Sequence, residues 1–506
     1  MYQIDFQSPK HVHFIGIGGI SMSGLAQVLL SRGFTVSGSD ASESVLTGKL
    51  REDGATVYIG QRASNITDGI DVVVYTAAIH EDNPEFAECK KRELPMLTRA
   101  QLLGQLMKNY EVPVAISGTH GKTTTTSMLS EALLAMGKDP TLSVGGMLKS
   151  IGGNIRIGNS GIFVAEACEY TNSFLSLFPR IGIILNIDAD HLDFFKDLDD
   201  IRASFHKFAQ LLPQNGLLLI NGEVPDLDSF TKDLSCSVLT FRVADGQDGG
   251  ADETAGGEPA DIFATDLSFD EKGHPSFVFH MKEEKLAMAR ETLAMGANGA
   301  ETAGTEITGT DAGFNTGEVS FPVTLGVVGR HNVSNALSVI ASALAMGGEP
   351  EVITKAVSAF TGTDRRFEYK GKVGDMTIID DYAHHPTEIR ATLQAAAKYP
   401  HKTLRVIFQP HTYTRTKALM GEFAQALSLA DEVILADIYA ARETDNLGIS
   451  SATLQKEIEK LGKPCAYFPT FDEIENFILE KSTPGDVLIT MGAGDVYRIG
   501  EKLLGR

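Results

Sequence analysis

Gly118-Thr119-His120-Gly121-Lys122-Thr123 combines two glycines, a lysine and hydroxyls at a spacing suited to gripping phosphate. An apolar run, Val112 to Ile116, leads into this stretch, and Thr123 opens a threonine-rich helical start, so backbone N–H groups and a helix N-terminus face one spot. Such a spot takes a polyphosphate. The Lys122 ammonium then spans the outer phosphates, and the Thr123 hydroxyl reaches the Mg²⁺ that neutralises them. The spacing is two residues shorter than the general G-x-x-x-x-G-K-[ST] loop, so the order of strand, turn, Lys-Thr and helix carries the reading.

Other chemistry-bearing residues fall at the ends of later apolar runs. Glu166 closes Ile162 to Ala165, and His191 lies just past Ile181 to Ile187. In an open parallel sheet the ligand crevice lies outside the carboxyl ends of the strands, so Lys122, Glu166 and His191 are expected to converge. Thr123 and Glu166 supply oxygen ligands suited to Mg²⁺; His191 is a less typical ligand for that ion, with a second ion or a water as the alternative. Asp188, Asp190 and Asp193 read as turn and cap residues. Near the N-terminus, Gly16-Ile17-Gly18-Gly19-Ile20-Ser21 approaches G-x-G-x-x-G with Ser21 in place of the third glycine. Asp40 follows the next strand where a ribose hydroxyl would be bound, which favours a nucleotide without establishing NAD. Towards the C-terminus, Arg365-Arg366, Asp380 to Pro386 and Gln409 to Arg415 form a polar rim, from which Arg366 is the candidate to neutralise a transferring phosphoryl group.

These groups need a scaffold. At roughly 150 residues per domain, 506 residues imply about three domains, each able to bury its own core. Alternating β-branched runs and helical patterns give an α/β class: Rossmann-like first and third domains and a P-loop ATPase-like centre. The expected domains are 1–107, 108–325 and 326–506, with the helix near Asn332 to Met346 opening the last. Between about 244 and 318 the composition shifts to Gly, Ala, Thr, Asp and Glu, and Ala294 to Gly313 is low in complexity. That segment reads as a solvated insertion with no catalytic role, although Phe277 to Met281 suggests a strand or hairpin within it. Its deletion, about 246–316, is expected to leave activity intact. The net charge of −22 argues against nucleic acid and anionic membranes as partners. Four scattered cysteines, Cys89, Cys168, Cys236 and Cys465, suit a reducing compartment, and neither an apolar leader nor a membrane span is evident. A cytoplasmic protein is expected.

Five stretches in order, Gly118 to Thr125, Ala165 to Tyr170, Asn186 to Asp193, Gly329 to Asn335 and Asp380 to Pro386, resemble the Mur ligase family. The resemblance covers nearly all of the chain except the low-complexity segment, and is strongest to the alanine-adding branch. It implies ATP-driven joining of L-alanine to the carboxylate of UDP-N-acetylmuramate through an acyl phosphate, with Mg²⁺, by a monomer or homodimer. It further implies that Gly16, Gly18, Gly19 and Asp40 hold the UDP-sugar. Gly118, Thr119, His120, Gly121, Lys122, Thr123 and Thr124 would hold the ATP phosphates, and His331, Asn335 and Asp381 the adenosine part. Thr123, Glu166 and His191 would ligate the metal, Lys122, Arg366 and His384 would be catalytic, and His384 and Arg415 would orient alanine. Two positions depart from relatives. Phe205 stands where some carry a carbamylated lysine, with Lys207 out of register, and Thr412 stands where some alanine-adding members carry arginine. The rival expectations are a ligase of the same family that attaches a recycled tripeptide, a nucleotide-regulated ATPase that makes no bond, and a dehydrogenase.

Overall fold

Short runs of β-branched residues assemble into three sheets in a computed structural model that describes residues 2–76, 78–192, 194–244, 260–295, 317–441 and 443–506. The first sheet is wholly parallel, in the spatial order Thr56–Ile59, Thr35–Asp40, His11–Ile15, Val72–Tyr75, Met96–Thr98. The chain reverses its direction of travel across the sheet at His11–Ile15, the switch point where such sheets open a crevice, and the Gly16 turn sits there.

The central sheet has ten strands. Its parallel middle runs Ser237–Val243, Leu217–Asn221, Ile181–Ile184, Val112–Ser117, Ile162–Glu166, Thr141–Leu148. Gly153–Arg156 adds antiparallel at one edge. At the other, Ile262–Phe269 pairs parallel to Ser237–Val243 and is followed by the antiparallel Pro275–Lys282 and Glu318–Thr324. The third sheet orders Glu368–Val373, Met376–Asp381, Val487–Met491, Leu404–Phe408, Glu432–Leu435, Cys465–Tyr467, all parallel except the first pair.

The first two lobes share one apolar core. Val12, Phe14 and Leu25 of the first sheet and its helix belong to the same buried cluster as Phe163, Phe205 and Phe208 of the second. Gly104, on the helix Arg99–Met107, permits the approach: a Cβ there would lie 1.9 Å from the Ser176 carbonyl oxygen. The third lobe has separate apolar clusters of its own, and side-chain hydrogen bonds and ion pairs join it to the central lobe.

Two expectations are corrected. The segment around Phe277 is not a solvated insertion: Ile262, Ala264, Phe277, Phe279 and Met281 lie in the central core, and the helix Glu283–Ala294 adds Leu286 and Ala289. Pro275–Lys282 alternates buried and half-buried positions along its whole length, a two-residue period masked in the sequence by its Gly- and Ala-rich surroundings. The low-complexity run lies, from residue 296 onward, outside the described residues. The expected boundary at 325/326 also moves. The helices Arg330–Ala345 and Pro350–Ala359 bury Val333, Leu337, Ile340, Ile353 and Val357 in the central core, so the third lobe begins after Phe360.

Deleting 246–316 therefore removes two strands and a core helix, and is expected to yield a central lobe that does not fold, read as loss of the cooperative unfolding transition. Phe279→Ala, leaving a cavity at a fully buried position, is expected to lower unfolding free energy by about 3–5 kcal/mol in denaturant titration.

Candidate active site

Val112–Ser117 ends at Gly118, and the chain enters the helix Lys122–Ala135 through Gly121, whose φ of +86° places it in the left-handed region. A side chain at Gly121 would also meet Asn335, with Oδ1 at 2.8 Å from the Cβ position. The turn therefore packs against the start of the helix Arg330–Ala345. Lys122 curls back over the turn: its ammonium donates to the carbonyls of Gly118 at 2.5 Å and Thr119 at 3.1 Å, and to Glu169 at 2.9 Å. Enclosure disfavours the ammonium, but Glu169 and neighbouring groups outweigh it and hold the pKa above the usual lysine value.

Beside the lysine, the Thr123 hydroxyl donates to Glu166 Oε2 at 3.2 Å, and the Gly145 N–H donates to Oε1 at 2.6 Å. Burial raises the Glu166 carboxyl against the pull of that N–H and of Lys122. Thr123 Oγ1 and Glu166 Oε2 thus stand side by side at about the separation of adjacent ligands around a small octahedral cation, and are a donor set that fits Mg²⁺. His191, at φ +53°, has Glu169 and Asp190 as its charged neighbours, each at 3.8 Å, and stacks on Tyr170 with ring centroids 4.4 Å apart.

The third lobe closes over this turn through polar groups. His120 of the turn is clasped by Asp188 at 3.4 Å and by Glu388 of the third lobe at 3.3 Å. Burial pushes the His120 imidazole down, but these carboxylates reverse the effect and raise its pKa to about 9. The Thr387 hydroxyl donates to Asp188 at 2.7 Å, His385 Nε2 donates to the Ala189 carbonyl at 3.0 Å, and the Arg415 Nε donates to Asp190 at 3.0 Å. Asp188 and Asp190, expected to be turn and cap residues, are instead bridges between lobes, and both carboxyls lie below the usual range. Asp193 lies outside the described residues. His120, Asp188 and His385 bring three potential metal ligands within 4.8 Å. Both nitrogens of each imidazole are already engaged, His385 Nδ1 accepting the Thr387 N–H at 3.3 Å, so this group is a latch.

Part of the set expected to hold ATP lines one cavity, whereas Gly118, Thr119, Lys122 and Thr123 are not among its lining residues. His120, Gly121, Thr124, His331 and Asn335 from the central lobe and Arg366 and Asp381 from the third line one cavity of about 570 Å³. Arg365 and Arg366 separate in role: Arg365 pairs with Asp380 at 3.1 Å, whereas Arg366 faces the cavity, over the Tyr382 ring and 3.9 Å from Glu388. Burial raises Asp381 to about 6, against Arg366 and the Ala383 N–H. A second cavity, of about 920 Å³, is lined by all three lobes: Thr76 and Arg99, then Tyr170 and His191, then His411 and Arg415. Thr412 also lines it and caps the helix Tyr413–Ala418 that carries Arg415. His384 is not among the lining residues of either cavity; its ring lies 5.8 Å from that of His411, whose Nδ1 is 3.1 Å from the Arg415 guanidinium. Burial lowers the His384 pKa to about 4, and its Nδ1 donates to the Tyr382 carbonyl at 3.0 Å. Gly16, Gly18, Gly19 and Asp40 are not among the residues lining these two cavities; the Gly18 N–H donates to Asp40 at 2.8 Å within their own turn. Phe205 is core and Lys207 is exposed. Sequence reasoning assigned no role to Glu169, three residues after Glu166, or to Glu388, four after His384 on the first turn of a helix. Those spacings were the available signal.

These features define a three-lobed α/β enzyme of the phosphate-loop kind. The chain belongs to the Mur ligase family: residues 11–111 match its catalytic domain, 116–343 its middle domain and 365–494 its glutamate ligase domain. A UDP-N-acetylmuramate–L-alanine ligase of Lachnospira eligens is 54% identical over 100% of both chains, and one of Lachnoclostridium phytofermentans is 49% identical over the same share. Among solved structures, a UDP-N-acetylmuramate–alanine ligase from Thermotoga maritima superposes with a TM-score of 0.72 at 28% identity, over 98% of this chain and 99% of that one. A murein peptide ligase of Psychrobacter arcticus shares the fold, with a TM-score of 0.63 at 24% identity over 98% of each chain.

The latch gives a pH prediction. A histidine whose pKa is raised on folding contributes stability that is full below its unfolded value, about 6.5, and lost as pH rises through the folded value. Melting temperature is expected to fall between about pH 6.5 and 9, and this fall is expected to shrink in His120→Gln; an unchanged profile in the variant would remove His120 from the latch.

Proposed function

We propose that this chain joins L-alanine to the lactyl carboxylate of UDP-N-acetylmuramate at the expense of ATP. The observation that carries the reading is the convergence of residues from two lobes on the cavity of about 570 Å³ beside Lys122, next to a second cavity walled by all three lobes. A carboxylate resists an amine because oxide is a poor leaving group. Transfer of the γ-phosphoryl group to it gives an acyl phosphate; the alanine amine then attacks the acyl carbon and phosphate departs. Lys122 and Arg366 lower the charge on the transferring phosphoryl group, which is where positioned cations contribute most. Mg²⁺, held by Thr123 and Glu166 with His191 nearby, would supply further charge neutralisation when bound.

His384 is neutral at pH 7. With its Nδ1–H committed to Tyr382, Nε2 is left as an acceptor for the alanine ammonium, while Arg415 takes the alanine carboxylate in exchange for Asp190. The glycine turn and Asp40 take the UDP end of the acceptor. Closure of the third lobe excludes water from the acyl phosphate. Its substrates are water-soluble, and among the described residues no helix is long and apolar enough to cross a membrane, so we place the reaction in the cytoplasm.

Phosphate release is expected to require UDP-N-acetylmuramate and L-alanine together. Faster release with a tripeptide in place of alanine would transfer the chain to the recycling branch, and release indifferent to both would make it a plain ATPase. Lys122→Ala is expected to reduce turnover by at least about 10³-fold, as loss of a preorganised charge at a transferring group does; wild-type turnover would refute its role.

A further inference from the structure

Glu85 has no exposed surface, and the reaction described above does not use it. It sits in the first turn of the helix Pro84–Lys91 and reaches inward beneath the strand ends of the first sheet. The Ser39 hydroxyl donates to its Oε2 at 2.5 Å, and its Oε1 receives the Asn65 amide at 2.5 Å and the Arg62 backbone N–H at 3.3 Å. The imidazole of His13, equally buried, stands 3.7 Å away, with its other nitrogen bonded to Ser37. A carboxylate is costly to remove from water, and apolar residues of similar volume seal a sheet at least as well. Its presence in the interior calls for a reason.

Its partners lead directly to the glycine turn. The Ser39 carbonyl accepts the N–H groups of Gly16 at 2.8 Å and Ile17 at 2.9 Å. The next residue, Asp40, accepts the Gly18 N–H on its side chain at 2.8 Å and the Gly60 N–H on its carbonyl, also at 2.8 Å. The Asn65 amide that reaches Glu85 also donates to the Gly60 carbonyl at 3.0 Å. Glu85 therefore grips, from below, both segments that hold the Ser39-Asp40 peptide.

We propose that Glu85 is a positioning residue for the first-lobe nucleotide site: through Ser39 and Asn65 it sets the Ser39-Asp40 peptide, and so the glycine turn and the Asp40 carboxylate, in the geometry that receives the nucleoside diphosphate end of the acceptor. This rests on the reading that the glycine turn binds the UDP-sugar. A carboxylate that only supports the fold would change stability and leave the three substrates in their usual proportion. A positioning carboxylate acts on one substrate.

Steady-state kinetics of Glu85→Gln, Ser39→Ala and the double variant test this, with thermal melts alongside. Each single change is expected to raise KM for UDP-N-acetylmuramate about fivefold, the factor carried by one hydrogen bond, with KM for ATP and alanine within about twofold of wild type. The double variant is expected to be no worse than the weaker single variant, because both changes cut one chain of contacts. Additive effects, equal rises in all three KM values, or an unchanged KM for the UDP-sugar would overturn the proposal. Should Glu85→Gln fail to fold, Ser39→Ala, which leaves the carboxylate its other partners, carries the same reading. Asp40→Asn separates the two layers of the argument: if it leaves KM for the UDP-sugar unchanged, the assignment of that substrate to this turn is wrong, whereas a rise there without one in Ser39→Ala removes Glu85 alone.

Discussion

The Lys122 ammonium sits where a central strand turns into a helix, with its side chain 16% exposed, and its charge has to be met almost without water. Two loop carbonyls and Glu169 meet it. An ammonium bound this way keeps its proton at every physiological pH, and it closes the turn around itself rather than leaving the loop to fluctuate. Much of the site follows from that constraint. Glu169 is fixed as the counter-charge, His191 is drawn beside Glu169, and the helix N-terminus keeps its N–H groups pointing outward to a ligand. In the proposed reaction an entering phosphate would exchange one anionic partner of Lys122 for another, and Glu169 compensates the cation meanwhile.

The lobes are joined by two kinds of contact. Between the first and the second, aromatic and aliphatic groups form one continuous core, and parting them would expose that surface to water at roughly 25 cal/mol per Å². Between the second and the third, the links include Arg415 to Asp190, His120 to Glu388, Thr387 to Asp188, His385 to a backbone carbonyl, Lys149 to Asp364 and Glu368, and Lys398 over the Phe269 ring. Polar groups regain water when they separate, so this junction opens at far smaller cost. The first two lobes thus form one base, and the third is held to it mainly by polar contacts. Every latch residue lies within a few positions of a group assigned to the reaction, which couples closure to assembly of the site.

Local features were legible in the sequence; long-range partnerships were not. The turn from Gly118 to Thr123 could be placed because strand, glycine turn and helix follow one another in consecutive residues. Arg366 and Asp381 could be placed at the site because polar clusters at parallel strand ends share one crevice. Glu169, Asp190 and Glu388 gained their roles only from neighbours 47, 225 and 268 positions distant, and no local pattern specifies such a pairing. Around Phe277 the strand pattern was legible but its place in the central core was not, because the alternation is short and the composition of the surrounding segment favours a solvated insertion. No local pattern singled out Glu85, whose partners Asn65, Arg62, Ser39 and His13 lie 20 to 72 positions away from it.

Charge accounts for one last feature of the cavity beside Lys122. Lys122, Arg366 and the protonated His120 supply positive groups; Glu166, Glu169, Asp188, Asp381 and Glu388 supply a larger number of negative ones, within a chain of net charge −22. A bare triphosphate approaching such a site would meet carboxylates at contact distance, and in a poorly hydrated cleft that repulsion is not screened by salt. The glutamates nevertheless hold the lysine, the latch histidine and the Thr123 hydroxyl in place, so they cannot be removed without losing the geometry that they create. In the proposed reaction a divalent cation arriving with the nucleotide would resolve the conflict, with Glu166 turned from a repulsive neighbour into one of its ligands. The acidic groups would then favour the metal-complexed nucleotide over the free one.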